Sequence, residues 1–275
     1  MIILGGSSRQ SLVGARIVLD EKLKGLSAAD CSAISNDLFA VLVALDSSTG
    51  LRRALTDPAR DGSAKAELLS DLFKKSIGAP ALSILAAAVA LRWSNPAQLA
   101  DAVEQLAVEA EASAANISDS LDQVQSEIFT FSKLVLENQE LRQALSTTQD
   151  SVARKQELLK AIFGAKFTTF SNALLSHSVE GRRSRSIEKT ISAYSNAVTA
   201  RRNRVNAHVR SGVALTDVQK KKLTDSLTKQ IGQPVHLNIE IDPSVLGGIA
   251  IRFGDEVIDG TIVNRLAQAS QALVG

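Results

Sequence analysis

The sequence predicts a mainly α protein: tandem N-terminal helical bundles followed by a small α+β C-terminal domain. Three observations predict it. Alanine and leucine dominate while aromatics make up 4% of the 275 residues, a composition that favours helices. Segments of the first half recur ninety residues later. From about residue 205 the apolar period changes from helical spacing to alternation. The resulting boundaries are 1–115 for the first bundle and 116–205 for the second, which shares the helix near 97–115. Residues 206–275 form the C-terminal domain.

The repeat is visible in short matches held in one register. "LRRAL" at 51–55 returns as "LRQAL" at 141–145, and "KAELLSDLF" at 65–73 as "KQELLKAIF" at 155–163. Laying 38–73 over 128–163 without a gap gives ten identities in 36 positions. Apolar character agrees at further pairs, such as Ile34 with Val124 and Leu85 with Leu175.

Each copy reads as a set of short helices. The first spans 8–24, with Leu12, Ala15, Leu19 and Leu23 as one stripe and Val13 and Ile17 on another face. Ile34, Leu38, Val41 and Leu45 mark the second, and "DSSTG" breaks it before a short helix at 51–56. Pro58, Gly62 and Ser63 make a turn, with Ser63 as the expected N-cap of a helix at 64–75. A helix at 81–93 follows, apolar on two sides through Leu82, Leu85 and Val89 and through Ile84, Ala88 and Leu91. Such extra apolar faces suit a central helix or a groove that accepts a partner helix. Asn95-Pro96 then opens the long helix that closes one copy and begins the next. The second copy repeats the order near 118–137, 141–146, 151–163, 167–178 and 184–203.

In the last seventy residues Val205, Ala207 and Val209 alternate as a strand. Thr216 and Gln219 form a capping box for a helix that Gly232 and Pro234 end. "VHLNIEID", "GIAIRF" and "EVID" are three more strands, the last two joined at Gly254-Asp255. Asp259 and Thr261 are read as caps of a final helix, 262–273.

No reaction is legible. The glycines of "VLGGIAIRFGDEVIDGTIVNRL" match neither G-x-G-x-x-G nor a G-K-[ST] phosphate loop. Asp255, Glu256 and Asp259 are too few for a calcium loop. His177, His208 and His236 are scattered, and the single Cys31 reads as a small buried hydrophobe. Catalytic residues, metal ligands and cofactors are therefore expected to be none. The longest apolar runs, 38–45 and 81–91, are shorter than the roughly 20 residues of a membrane span. The start reads as too short for a secretory signal, so the chain is expected to stay where it is made. The net charge of +2 hides a gradient: nine acids against Lys133 over 97–140, and eleven bases against Glu188 and Asp217 over 182–222. Such asymmetry marks a nucleic-acid or membrane face, or two surfaces for different protein partners.

The closing stretch "NIEIDPSVLGGIAIRFGDEVIDGTIVNRLAQ" resembles the C-terminal signature of the delta subunit of bacterial F-type ATP synthase. The mitochondrial counterpart is the oligomycin-sensitivity-conferring protein. Asp242, Gly247, Gly248, Arg252, Gly254, Asp259, Gly260 and Thr261 carry the likeness, and "LRRALTDPARDGSAKAELLSDLF" resembles that family's N-terminal bundle. The resemblance implies a non-catalytic stator that holds the alpha/beta head against rotor torque, peripheral on the cytoplasmic face of the bacterial cell membrane. It implies that the alpha subunit's N-terminal helix binds a groove between the first and fifth helices. Here that groove takes Leu12, Val13, Arg16, Ile17, Ile84, Ala88 and Leu91. It implies that the C-terminal domain binds the end of the b-subunit stalk, with no nucleic acid and no direct membrane insertion. One departure is the second copy, about 115–203, which is additional to the family's single bundle. The first copy is the expected dock, because Ser178 and Gly181 stand where Ala88 and Leu91 do. The alternatives are a stand-alone helical adaptor and, on Arg182, Arg183, Arg185, Arg201, Arg202 and Arg204, a nucleic-acid binder. Only Tyr194 lies among those arginines to stack a base.

Overall fold

The computed structural model describes residues 6–180, 185–231, 235–242, 245, 248–253 and 256–259. The chain divides into two compact units, 1–199 and 200–275.

In the first unit α1 (Gly6–Leu23) and α2 (Ala28–Ser47) are followed by α3 (Thr49–Thr56), α4 (Gly62–Phe73) and α5 (Ala79–Ala90). The long α6 (Pro96–Ile117) leads into α7 (Leu121–Glu137), α8 (Gln139–Ser146), α9 (Val152–Phe163), α10 (Thr169–Ser178) and α11 (Ile187–Val205). Helices α3, α4 and α5 start ninety residues before α8, α9 and α10. The repeat extends to single bonds. Ser48 and Asn138, ninety apart, each cap by accepting a backbone N–H, from Leu51 and Leu141. Arg52 donates to the carbonyls of Leu45 and Asp46, and Arg142 to those of Val135 and Leu136. Asp37 accepts the N–H of Gly78 at 2.8 Å, and Glu127 accepts that of Thr168 at 3.0 Å, tying the second helix of each copy to the start of its fifth. Because backbone groups at helix ends need partners, keeping these ties keeps the helix arrangement.

The stripes Leu12/Ala15/Leu19/Leu23 and Ile34/Leu38/Val41/Leu45 are buried, as their spacing predicts. The Cys31 side chain is buried, as a small apolar residue would be. Helix α2 is long and apolar enough to cross a membrane by composition, but Cys31, Ile34, Leu38, Val41 and Leu45 pack as core. Two expectations need correction. The N-cap of α4 is Asp61, not Ser63, and the helix begins at Gly62. Helix α5 stops at Ala90, short of 93, because the Ala88 carbonyl accepts both the Leu91 N–H and the Trp93 indole N–H. Leu91 then turns to extended backbone.

The second unit holds β1 (Asn206–Ser211), α12 (Asp217–Ile231), β2 (His236–Ile241), β3 (Ile249–Phe253) and β4 (Glu256–Asp259) in a sheet of order β2-β1-β3-β4. The first two strands are parallel with α12 as crossover, and β3 runs antiparallel to both β1 and β4. The Thr216/Gln219 capping box forms as read. Ala207, Val209, Leu227, Val235 and Ile251 are the core. The expected final helix, 262–273, lies outside the described residues, as do Gly247, Gly254, Gly260 and Thr261.

Candidate partner-binding surfaces

Helices α1 and α5 pack side by side and form the first seam. Gly14 allows the approach: a Cβ there would meet Leu91 Cδ1 at 3.3 Å, so Leu91 seats on bare backbone. Of the residues singled out for a groove, Leu12, Ile84 and Ala88 are core, beneath the seam. Val13 and Ile17 stand out in solvent, 54% and 65% exposed, and Leu91 is half-buried. Arg16 turns the other way. Its guanidinium holds the fully buried Glu109 of α6 at 2.7 Å, clamping α1 to that helix rather than lining the seam. The accessible apolar surface is therefore Val13 and Ile17, beside Leu91 and the half-buried Ala87.

In the second copy the equivalent seam lies between α6 and α10, which also pack together. Here α2 lies along it. Ser35 Oγ donates to the Ala107 carbonyl of α6 at 2.9 Å, and Ser32 Oγ to Glu111 Oε1 at 3.1 Å. The Phe39 ring stacks on His177 of α10, with centroids 3.9 Å apart and planes 9° from parallel. Tyr194 of α11 tilts against the same ring at 6.2 Å. His177 Nδ1 meets Glu180 at 3.0 Å and Nε2 meets Asn36 at 3.4 Å. The second seam is thus filled from within the chain, while no described helix lies across the first, where Val13 and Ile17 are exposed.

The acidic stretch 97–140 is not wholly a surface, as its charge suggested. Glu104, Glu109, Glu111 and Glu127 are buried. A buried carboxylate needs a partner. Arg185 meets Glu104 at 2.5 Å, Arg16 meets Glu109, and Glu127 accepts from Thr168. Among the described residues, Glu111 accepts from Ser32 of α2, with Ser35 and the His177 imidazole beside it. Burial pushes its carboxyl above the usual range, against the lowering effects of Ser32, His177 and Ser35. The His177–Phe39 contact escaped sequence reading. Its one signal was that the repeat places Ala87 where the second copy has histidine.

In the C-terminal unit Val213, Leu215, Lys222, Leu223, Gly248 and Ile249 are among the residues that line a cavity of about 470 Å³, and Val213 is exposed. Gly248 has φ +92°, a conformation that a side chain resists. Asp242 accepts from Arg210 at 3.4 Å, and Arg252 is exposed on β3. Asp259 closes β4, paired with Ala250. Among the described residues no three His, Cys, Asp or Glu side chains converge as a metal site.

Comparison with known proteins agrees with this architecture. The chain is 40% identical over 268 residues to "ATP synthase subunit delta" of Streptomyces coelicolor, covering 98% of this chain and 97% of the relative. It is 38% identical to that of Streptomyces griseus over 272 residues (99% and 100%), and 36% identical to that of Thermobifida fusca over 270 residues (98% and 99%). The family described as ATP synthase delta (OSCP) subunit matches residues 100–273. That match begins inside α6 and takes in the second copy and the C-terminal unit. The copy outside that match is the first, not the second as the resemblance led one to expect. Matched over more than half its length and related end to end to these proteins, the chain belongs to the ATP synthase delta (OSCP) subunit family.

Proposed function

We propose that this chain ties the catalytic head to the stalk through the open α1/α5 seam at one end and the C-terminal unit at the other. It is a peripheral-stalk, or stator, subunit of a proton-translocating F-type ATP synthase, associated peripherally with that membrane complex and without catalysis of its own. The family relationship supports that role. The observation that carries the docking reading is the difference between the seams. In the second, Phe39 and its helix already occupy the place of a partner helix. In the first, Val13 and Ile17 lie bare beside Leu91. An amphipathic helix, the N-terminal helix of an alpha subunit, lays its apolar face there. Leu12, Ile84 and Ala88 support the seam from below, and Arg16 holds α1 in place. The end of the b-subunit stalk sits over the cavity of Leu215, Leu223 and Ile249. The complex stands on the cytoplasmic face of the bacterial cell membrane. A static link suits the design, since preformed apolar grooves give slow dissociation.

The test is a titration of the full chain with a peptide of the alpha subunit's N-terminal segment, followed by calorimetry. One peptide per chain is expected, and Ile17→Asp should weaken binding by about tenfold or more, the effect of placing a charge at an apolar anchor. Unchanged affinity in that variant would refute the seam. Two peptides per chain would mean that α2 does not block the second.

A further inference from the structure

Helix α1 carries a ladder of exposed side chains along the first seam: Arg9, Val13, Ile17 and Glu21. Residues four apart on a helix are surface neighbours, so the ladder is one winding stripe. Its middle rungs are apolar and its end rungs are charged. The two ends differ. At the Glu21 end the charges are mixed, since Lys22 and Lys24 follow within a turn. At the Arg9 end they have one sign. The chain leaving α5 meets the start of α1 there: Ser11 Oγ donates to the Arg92 carbonyl at 2.6 Å, and Ser7 Oγ lies 2.8 Å from Ser94 Oγ. This brings the exposed Arg92 to the same end as Arg9. The polar side chains bonded together there, Ser7, Ser8, Ser94 and Gln98, are neutral. The first acids of α6, Asp101 and Glu104, are engaged by Arg185. Among the described residues no carboxylate pairs with Arg9 or Arg92. The first turn of α1 holds no acid, and the positive end of that helix's dipole adds to the same field.

We propose that the helix docked in this seam carries carboxylates at one end, seated against Arg9 and Arg92, and apolar side chains over Val13, Ile17 and Leu91. The proposal rests on the reading of the seam as the dock of the alpha subunit's N-terminal helix, and names what that helix presents. Apolar packing by itself distinguishes the two directions of an amphipathic helix poorly, because Val13 and Ile17 offer similar surfaces. The cationic end decides between them. A reversed helix would set its acids beside Glu21 and leave both arginines unmatched. Such rim charges act on encounter and orientation, while the apolar middle governs release.

The test follows association of the full chain with the alpha N-terminal peptide, comparing wild type with the double variant R9E/R92E. It is run at about 0.01 M and about 1 M salt, where charges are felt over about 30 Å and about 3 Å. The reversal should slow association about tenfold at low salt and leave it unchanged at high salt. Dissociation should change less than about twofold. A peptide with lysines in place of its carboxylates should show the mirror image, associating faster with the double variant than with wild type. Both arginines are exposed, so melting should match wild type; R9Q/R92Q replaces the reversal if that variant melts early. A double variant that associates as fast as wild type at low salt overturns the proposal. If Ile17→Asp still weakens binding of that peptide, the seam itself stands. A wild type that does not bind the peptide removes both.

Discussion

Truncating Phe39 to alanine isolates what holds the two bundles together. The ring is 1% exposed, stacked at 3.9 Å on His177 and tilted against Tyr194. A buried Phe→Ala change costs about 3–5 kcal/mol through lost transfer energy and the cavity left behind. Of this, about 0.5–1.5 kcal/mol belongs to ring pairing. The same change at Phe129, 68% exposed, should fall within about 0.5 kcal/mol of zero. The assay is guanidinium unfolding followed by the emission of Trp93, the single tryptophan, which is buried in the first unit and so reports that unit. Phe39→Ala should lower the midpoint strongly with little change in slope, and Phe129→Ala should leave both where they are. The reasoning fails if Phe39→Ala costs less than about 1 kcal/mol, or if the two substitutions cost the same. Either result would mean that the repeats do not meet through this ring.

Two further outcomes are expected. Glu111 is raised above the ordinary carboxylate range by burial, so the folded protein holds its proton more tightly than the unfolded chain does. The stability it contributes is present below the ordinary glutamate range, near about 4.3, and is lost as pH rises through the folded value. Glu111→Gln should thus raise the melting temperature at neutral pH, with the gain shrinking toward zero as pH falls to about 4; a pH-independent gain, or a loss, would show that burial is not the governing cause. Gly248, at φ +92°, should not tolerate valine: the strain of about 1–2 kcal/mol should appear as a lower melting transition of the C-terminal unit. Unchanged melting would mean that this turn relaxes freely.

Much of the fold was legible because it rests on local patterns. The stripes of α1 and α2, the capping box at Thr216 and the Gly/Pro breaks each follow from a few neighbouring residues. The ninety-residue register was legible because equal helices need equal spacing, and Asp37/Gly78 and Glu127/Thr168 keep that spacing. The candidate seam was only half legible. Helical spacing identified α1 and α5 as apolar on more than one face. It could not separate Ile84 and Ala88, which face the core, from Val13 and Ile17, which face solvent, nor foresee that Arg16 turns toward Glu109.

The sequence by itself determined the helix order, the duplication and the family, since each depends on residues near one another in the chain or on their order. Only the tertiary structure decided which seam is open and which acids are inside. Those properties depend on what packs across the junction. A glutamate run reads the same whether α6 lies on the surface or between two bundles, and Phe39 and Phe129 are the same residue in the same local pattern. The difference is His177, 138 residues beyond Phe39, which covers one ring and has no counterpart over the other among the described residues.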